Sequence, residues 1–113
     1  MKKPVIKEDP LYQFLRSEDI KSFNEQRDAL DTSELQSGDY RGRDLRNMNA
    51  DGLDFSNAYF RNSDLSGIDF RNTNLDGASL KDAKLSGVYF PDELSPDEIC
   101  MSQDIGTRLR YKK

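Results

Sequence analysis

The chain has 113 residues, the length of a single domain, and its 17 basic and 21 acidic residues give a formal charge of −4. So small a charge creates no strong field toward a duplex or an anionic membrane, and direct nucleic-acid binding is not expected. The single cysteine, Cys100, excludes an intramolecular disulfide, and neither the first ten residues nor any later segment has the apolar run of a signal peptide or a membrane span. We therefore expect a protein of the reducing cytoplasm with no membrane contact.

The first predicted element is a short helix that begins after Asp9. Aspartate is a favoured N-cap residue, and Pro10 suits the first helical position because no N–H donor is needed there. The apolar residues that follow share one face of this helix: Leu11, Phe14 and Leu15.

A second helix is predicted at about residues 18–30, with Ser17 as its N-cap and an apolar stripe of Ile20, Phe23 and Leu30. Helices of this size cannot bury their apolar faces alone. Residues 1–37 are therefore expected to form a helical cap, either on the open end of the segment that follows or docked on a partner.

The central segment repeats with a period of five, which fits neither an amphipathic helix nor an ordinary strand. Each large apolar residue is followed by a polar or turn-forming pair, such as Ser66-Gly67 or Asp76-Gly77. The core repeat positions are Phe55, Phe60, Leu65, Phe70, Leu75, Leu80, Leu85 and Phe90.

The units from Leu53-Asp54-Phe55-Ser56-Asn57 to Ala83-Lys84-Leu85-Ser86-Gly87 resemble the pentapeptide-repeat family, whose units follow Ala-(Asp/Asn)-Leu-x-x. The resemblance implies a right-handed quadrilateral β-helix, with one unit per side, about twenty residues per coil, and the central residue and the one two places earlier pointing inward. We therefore expect an all-β solenoid of about three coils at residues 38–94, capped by short α-helices at the N-terminus and C-terminus.

The first coil departs from this pattern. Tyr40 and Ala50 hold central positions, whereas Arg43 and Met48 occupy inward places that the family gives to small residues. The exchange of sizes between Met48 and Ala50 conserves core volume. A buried charge is costly, so we expect regular coiling to begin after Arg43, or its side chain to leave the core at the open end.

Residues twenty apart should stack about 4.8 Å apart on the surface of such a coil. This places Arg41, Arg61 and Lys81 in one column, with Tyr59 beside it, and these four are the candidate partner-binding residues. They would receive an acidic partner, with Tyr59 as an aromatic anchor. The alternative is a solvated charged face, neutralised by the nearby Asp39 and Asp82. A second column, Asp44 and Asp64, also needs a neutralising charge.

The C-terminal part, residues 95–113, restarts with Ser95-Pro96, which predicts an N-cap and a helix at about 96–102. Ile99 and Met101 are expected to cover the last coil, and Cys100 to be a small packed residue. Tyr89 is expected to pack beneath this cap, although an outward role is the alternative. The basic tail from Thr107 to Lys113 is expected to be mobile.

Catalysis is not expected, because the chain has no histidine and one cysteine cannot build a structural zinc site. The many aspartates precede the central residues of the repeats, so their spacing is architectural, and no glycine-rich phosphate loop is present. Neither a cofactor nor a metal is predicted.

The leading functional hypothesis is a small protein–protein interaction module whose partner is a protein of unknown identity. The resemblance implies an alternative, a DNA mimic that binds a type II topoisomerase such as DNA gyrase. Against this, the repeat segment is short, and its seven basic and eight acidic residues over 38–90 nearly balance. A structural accessory subunit of a larger assembly is the third possibility, and a homodimer is also possible.

Overall fold

The computed structural model describes residues 8–112. It contains three helices: α1 (Pro10–Arg16), α2 (Ile20–Gln26) and α3 (Pro96–Ile105). Within the described part of the chain, no helix is long and apolar enough to cross a membrane. The first seven residues, on which part of the signal-peptide argument rests, and Lys113 of the basic tail lie outside the described residues.

Between α2 and α3 the chain returns to pair with itself every twenty residues, and we call each twenty-residue passage a rung. The pairing consists of isolated parallel bridges rather than strands. Each side of a rung has only one residue between turns that pairs with the next rung. Among residues 8–112 these parallel bridges are Asp39–Tyr59, Asp44–Asp64, Asp54–Asn74, Tyr59–Ser79, Asp64–Lys84 and Asp69–Tyr89.

Tight turns separate the units, and they explain the residues at the end of each one. The amide of Ala58 donates to the carbonyl of Phe55 at 3.1 Å, and the same bond recurs in the units that follow. In these turns, except the one at Asn72, the residue before the donor has a positive φ, such as 58° at Asn57 and 79° at Gly67. Only glycine and, at some cost, asparagine or aspartate adopt this conformation readily, which is why they recur there.

The aspartates that precede the central residues fold back on their own backbone. Asp54 accepts a hydrogen bond from the amide of Ser56 at 2.8 Å, and Asp64 accepts one from Ser66 at 3.1 Å. Such bonds stabilise the turn locally. They confirm that the spacing of these residues is architectural.

Two inward positions per unit build the core. The central residues from Tyr40 to Leu80 are buried, as are most residues two places earlier, including Met48 at the exchanged pair. Tyr40 stacks on Phe60 with ring centroids 5.3 Å apart, and its hydroxyl donates to the carbonyl of Leu35 at 2.8 Å. Leu85 and Phe90, in the last rung, are only half-buried.

The first helix starts where the sequence predicts, and the second does not. Asp9 caps α1 by accepting from the amide of Tyr12 at 3.1 Å. Ser17 is instead the C-cap of α1, so Asp19 becomes the N-cap of α2. The predicted range of 18–30 was therefore too long at both ends, and Leu30 is exposed.

The two N-terminal helices cover the first rung and bond to its backbone edge. The Tyr12 hydroxyl accepts from the amide of Asp39 at 3.0 Å, and the side chain of Asn24 bonds both Asn47 and Asn49. Arg27 donates to the carbonyls of Asn49 and Asp51 at 2.6 Å each. Because these side chains replace the bonds that a lower rung would make, the helices cap this end of the solenoid.

The prediction that regular coiling begins after Arg43 is wrong. Pairing starts earlier, since the amide of Tyr59 donates to Gly38 at 3.0 Å and that of Gly42 to Arg61 at 2.8 Å. The end is also not open, because Glu18 accepts from the amide of Asp44. Arg43 is therefore half-buried, and its Nε is buried without a hydrogen-bond partner.

At the other end, Ser95 caps α3 as predicted, by accepting from the amide of Glu98 at 3.2 Å. The helix runs three residues beyond the predicted range and stops at Gly106, whose φ is 80°. Ile99 packs against the core, but Cys100 and Met101 are exposed, contrary to expectation. Helical geometry explains this, because successive side chains point about 100° apart and Ile99 and Ser102 take the inward face.

The tail is docked and not free, which corrects the expectation of a mobile end. Arg108 forms an antiparallel bridge with Ser79, and Leu109 is only 1% exposed. The amide of Leu109 donates to Ala78 at 2.8 Å, and that of Lys112 to Glu93 at 2.9 Å. An apolar residue among the basic ones provides the burial that holds the segment in place.

Candidate functional site

The three basic residues of the predicted column do lie on successive rungs. The amide of Gly42 donates to the carbonyl of Arg61 at 2.8 Å, and that of Asn62 donates to Lys81 at 2.9 Å. In each case the donor is the residue that follows one member of the column, and the acceptor is the member on the next rung. Arg41, Arg61 and Lys81 therefore occupy equivalent positions on one side of the solenoid.

Arg41 is neutralised by Asp39. Its Nε lies 2.8 Å from Asp39 Oδ1, and a second nitrogen donates to Oδ2 at 3.0 Å. Arg16 of α1 approaches the same carboxylate at 3.3 Å. The hydrogen bond from Arg41 lowers the pKa of Asp39, although burial opposes this, and the same pairing raises the pKa of Arg41. Arg41 is committed to this local pair.

Lys81 is also engaged by its neighbours. Its ammonium lies 3.7 Å from Asp82 and donates to the main-chain carbonyl of Asp104 in α3. Its side chain also lies beside Gly106, and only about a quarter of it is exposed. Lys81 thus bonds α3 to the column, and most of its side chain is covered.

Arg61 differs from the other two. It is exposed, and within residues 8–112 its guanidinium forms no ion pair and no hydrogen bond. A solvated guanidinium can still donate five hydrogen bonds in a planar fork, which suits a carboxylate. Arg61 is therefore the cation of the column that remains available to a partner.

Tyr59 is half-buried beside this column and is joined to the tail. The guanidinium of Arg108 lies 5.5 Å from the centre of its ring and donates to its hydroxyl at 3.0 Å. Arg108 also donates to the carbonyl of Gly77. Arg108 was not among the predicted site residues, because the tail was expected to be mobile. The alternation of Arg108, Leu109 and Arg110 is the pattern that indicates an edge strand.

The second column is neutralised by Arg46, which was not among the predicted site residues. Its guanidinium lies 2.8 Å from Asp44 and 3.5 Å from Asp64. The side-chain hydrogen bond from Arg46 lowers the pKa of Asp44 to about 2. One arginine thus removes the repulsion between two stacked carboxylates.

Tyr89 faces the solvent and does not pack beneath α3, contrary to the expectation. It is 57% exposed, and the guanidinium of Arg71 lies 4.7 Å from the centre of its ring. Arg71 is in turn held by Asp69 at 2.8 Å. Because α3 covers the end of the last rung and not this side, the ring stays outside.

A family model describes the repeats directly. The model of pentapeptide repeats matches residues 44–75 and 54–90, with eight copies. Residues 44–90 belong to the pentapeptide-repeat family. No curated protein and no solved structure matches the chain. The pentapeptide repeats form a repeat-protein solenoid. The match to the family model begins at residue 44, five residues after the first bridge at Asp39.

The pentapeptide-repeat surface concentrates its charges in local pairs. Within the described part of the chain, no cluster of three or more acidic, cysteine or histidine side chains could hold a metal ion. The open groove beside α3 is lined in part by Glu98 and Arg110, which bond to each other at 2.7 Å. What remains distinctive is the surface formed by Arg61, Tyr59 and Arg108, which we call the Arg61 surface.

Proposed function

We propose that this pentapeptide-repeat protein is a non-catalytic module that binds an acidic protein partner in the cytoplasm through the Arg61 surface. In this proposal the repeats form a right-handed quadrilateral β-helix of about three coils at residues 38–94, with residues 1–37 and 95–113 as caps. Arg41 and Lys81 border the surface. The observation that carries the proposal is the exposed guanidinium of Arg61, unpaired within residues 8–112, in a column whose other cations have local partners.

Rigidity supports this assignment. Backbone hydrogen bonds fix Tyr59 between two rungs, and Arg108 holds its ring from the side. A surface that is already ordered loses little conformational entropy when it binds. An aromatic ring beside an arginine is also the pair of residue types most enriched where interfaces concentrate their binding energy.

The pairing of the carboxylates argues against the DNA-mimic alternative. A duplex mimic needs unpaired negative charge in regular array, whereas Asp39, Asp44 and Asp69 each bind an arginine two residues later. The molecule measures 35 × 27 × 25 Å, so it is nearly isometric and does not have the shape of a long rod. No feature of the described residues favours an accessory subunit over a binding module.

A pull-down from a bacterial lysate tests the proposal, with wild type, Arg61→Glu and Arg71→Glu compared by mass spectrometry. Arg71 is the control because it occupies the same place in its unit, ten residues further along, and is exposed, but is already bound by Asp69. We expect at least one protein that wild type and Arg71→Glu retain and Arg61→Glu loses.

Three results would count against this function. Equal loss in both variants would mean that the charge and not the surface matters. Retention of every bound protein by Arg61→Glu would make the column an ordinary solvated face. A topoisomerase subunit captured equally by all three proteins would support the DNA-mimic alternative.

A further inference from the structure

The backbone edge of the last rung is covered along most of its length. Ser102 of α3 accepts from the amide of Leu80 at 2.9 Å, and Gln103 donates to the carbonyl of Ala83 at 2.9 Å. The tail pairs with Ala78, and the Tyr111 hydroxyl accepts from Leu75 at 2.8 Å. These contacts replace the bonds that a further rung would make.

The edge over residues 85–90 has no such cover. Among the described residues, the amides of Leu85, Gly87 and Phe90 and the carbonyl of Val88 have no hydrogen-bond partner. One rung below, every equivalent group is bonded. Leu65 donates to Lys84, Gly67 to Ser86 and Phe70 to Tyr89, and Ile68 accepts from Tyr89, at 2.7–3.1 Å.

The side chains show the same incompleteness. Leu85, Val88 and Phe90 are half-buried, whereas their equivalents one rung below are at most 2% exposed: Leu65, Ile68 and Phe70. Apolar surface thus remains to be covered beside the free amides. A row of unpaired donors next to apolar side chains is the arrangement to which an extended chain adds by strand pairing.

The charges beside this edge indicate the sign of the charge that a bound segment would carry. Asp92 and Glu93 directly follow the edge, both are exposed, and neither forms an ion pair within residues 8–112. Their neighbour Asp69 is already bound by Arg71. A segment that carries arginine or lysine near its apolar residue would complement the two free carboxylates.

The chain itself contains a segment of this kind, bound to another side of the same rung. In the tail, Leu109 is buried against Ala78 and is flanked by Arg108 and Arg110. Its amide and carbonyl each bond to the rung, at 2.8 Å. A basic, leucine-containing extended segment is therefore compatible with an edge of this solenoid.

We propose that the side of this edge formed by residues 88–90 binds an extended, basic and apolar segment of a partner protein by strand addition, through the carbonyl of Val88 and the amide of Phe90. The site is separate from the Arg61 surface, which lies on another side of the solenoid, and does not depend on it. A single extended segment suits the space better than a second copy of the chain, because α3 lies on the adjoining part of the rung at Leu80 and Ala83. That helix would separate two solenoids brought end to end.

The test is an NMR titration of the full chain, labelled with ¹⁵N, by a capped peptide with the sequence of residues 107–111. The control peptide carries Leu109→Asp. We expect saturable shifts of the Phe90 amide with the first peptide and none with the second. Neutralising the acidic pair by Asp92→Asn with Glu93→Gln should weaken binding roughly two- to five-fold, as for exposed ion pairs. Asp97→Asn on α3 should leave it unchanged.

Three outcomes would overturn the proposal. No saturable shift at the edge would mean that it does not accept a strand. Shifts confined to Gly77, Ala78 and Leu109 would mean that the peptide only exchanges with the tail. Protection of the Phe90 amide that rises with protein concentration, without peptide, would assign the edge to a second copy of the chain.

Discussion

The guanidinium of Arg108 lies 5.5 Å from the centre of the Tyr59 ring and donates to its hydroxyl at 3.0 Å, across 49 positions of sequence. The contact joins the C-terminal tail to the middle of the repeats. It also fixes the orientation of the aromatic side chain at the centre of the proposed binding surface.

Replacing Arg108 with alanine should therefore destabilise the protein. The lost cation–π contact and hydrogen bond at this partly exposed place are together worth about 1 kcal/mol. Urea denaturation followed by circular dichroism measures the change. Lys112→Ala, which removes a nearby tail cation without such contacts, is the control, and equal destabilisation by both would contradict the assignment.

Tyr12→Phe tests the role of the N-terminal cap. The Tyr12 hydroxyl accepts from the buried amide of Asp39 at 3.0 Å, so its removal leaves that donor unpaired. The expected cost is about 1–3 kcal/mol. Tyr89→Phe, at an exposed ring, should change the free energy of unfolding by much less. If both variants unfold at the same urea concentration, the hydroxyl does not hold the cap.

Leu109→Ala tests whether the tail is docked. Leu109 is 1% exposed, so truncating it should lower the free energy of unfolding by about 2–5 kcal/mol. If the tail were mobile, the free energy of unfolding would not change. Thermal unfolding distinguishes the two cases. Amide exchange at Leu109, slow in the wild type because it bonds Ala78, gives a second measurement.

Gly77→Ala should destabilise the repeats more than Gly67→Ala. Both glycines have φ of 79°, so both changes carry the cost of a left-handed conformation, about 1 kcal/mol. An added Cβ at Gly77 would also collide with the Asn57 carboxamide, whereas Gly67 faces open space. The difference between the two melting temperatures measures the destabilisation caused by that collision. Identical values would show that Asn57 moves aside freely.

Stability should fall as the pH is lowered below about 4. The side-chain hydrogen bonds from Arg46 and Arg71 lower the pKa of Asp44 and of Asp69 to about 2. A carboxyl whose pKa is lower in the folded state contributes stability above its unfolded value, and this is lost as pH falls through the folded value. The urea midpoint of the wild type should therefore decline from pH 5 to pH 2. The midpoint of Asp44→Asn should decline less steeply.

Much of the repeat segment was predictable because its information is local. A five-residue period of apolar residues, turn glycines at Gly67 and Gly77, and an N-cap at Ser95 each depend on residues a few places apart. Local rules of this kind hold whatever lies further along the chain. The second helix was misplaced because Ser17 and Asp19 are equally good caps by sequence, and the choice depended on where α1 ended.

By itself, the sequence determined the repeat and its central apolar residues, since these recur on the period, and the resemblance to the pentapeptide-repeat family implied the second inward position. The tertiary structure alone decided which charges are free. Arg46 reaches Asp64 on the next rung, Arg16 of α1 approaches Asp39, and Arg61 has no partner within residues 8–112, because such pairing depends on side chains from other rungs and caps. It also decided that the tail docks and that residues 85–90 stay uncovered, since which segment reaches an edge is a matter of contacts between residues distant in sequence.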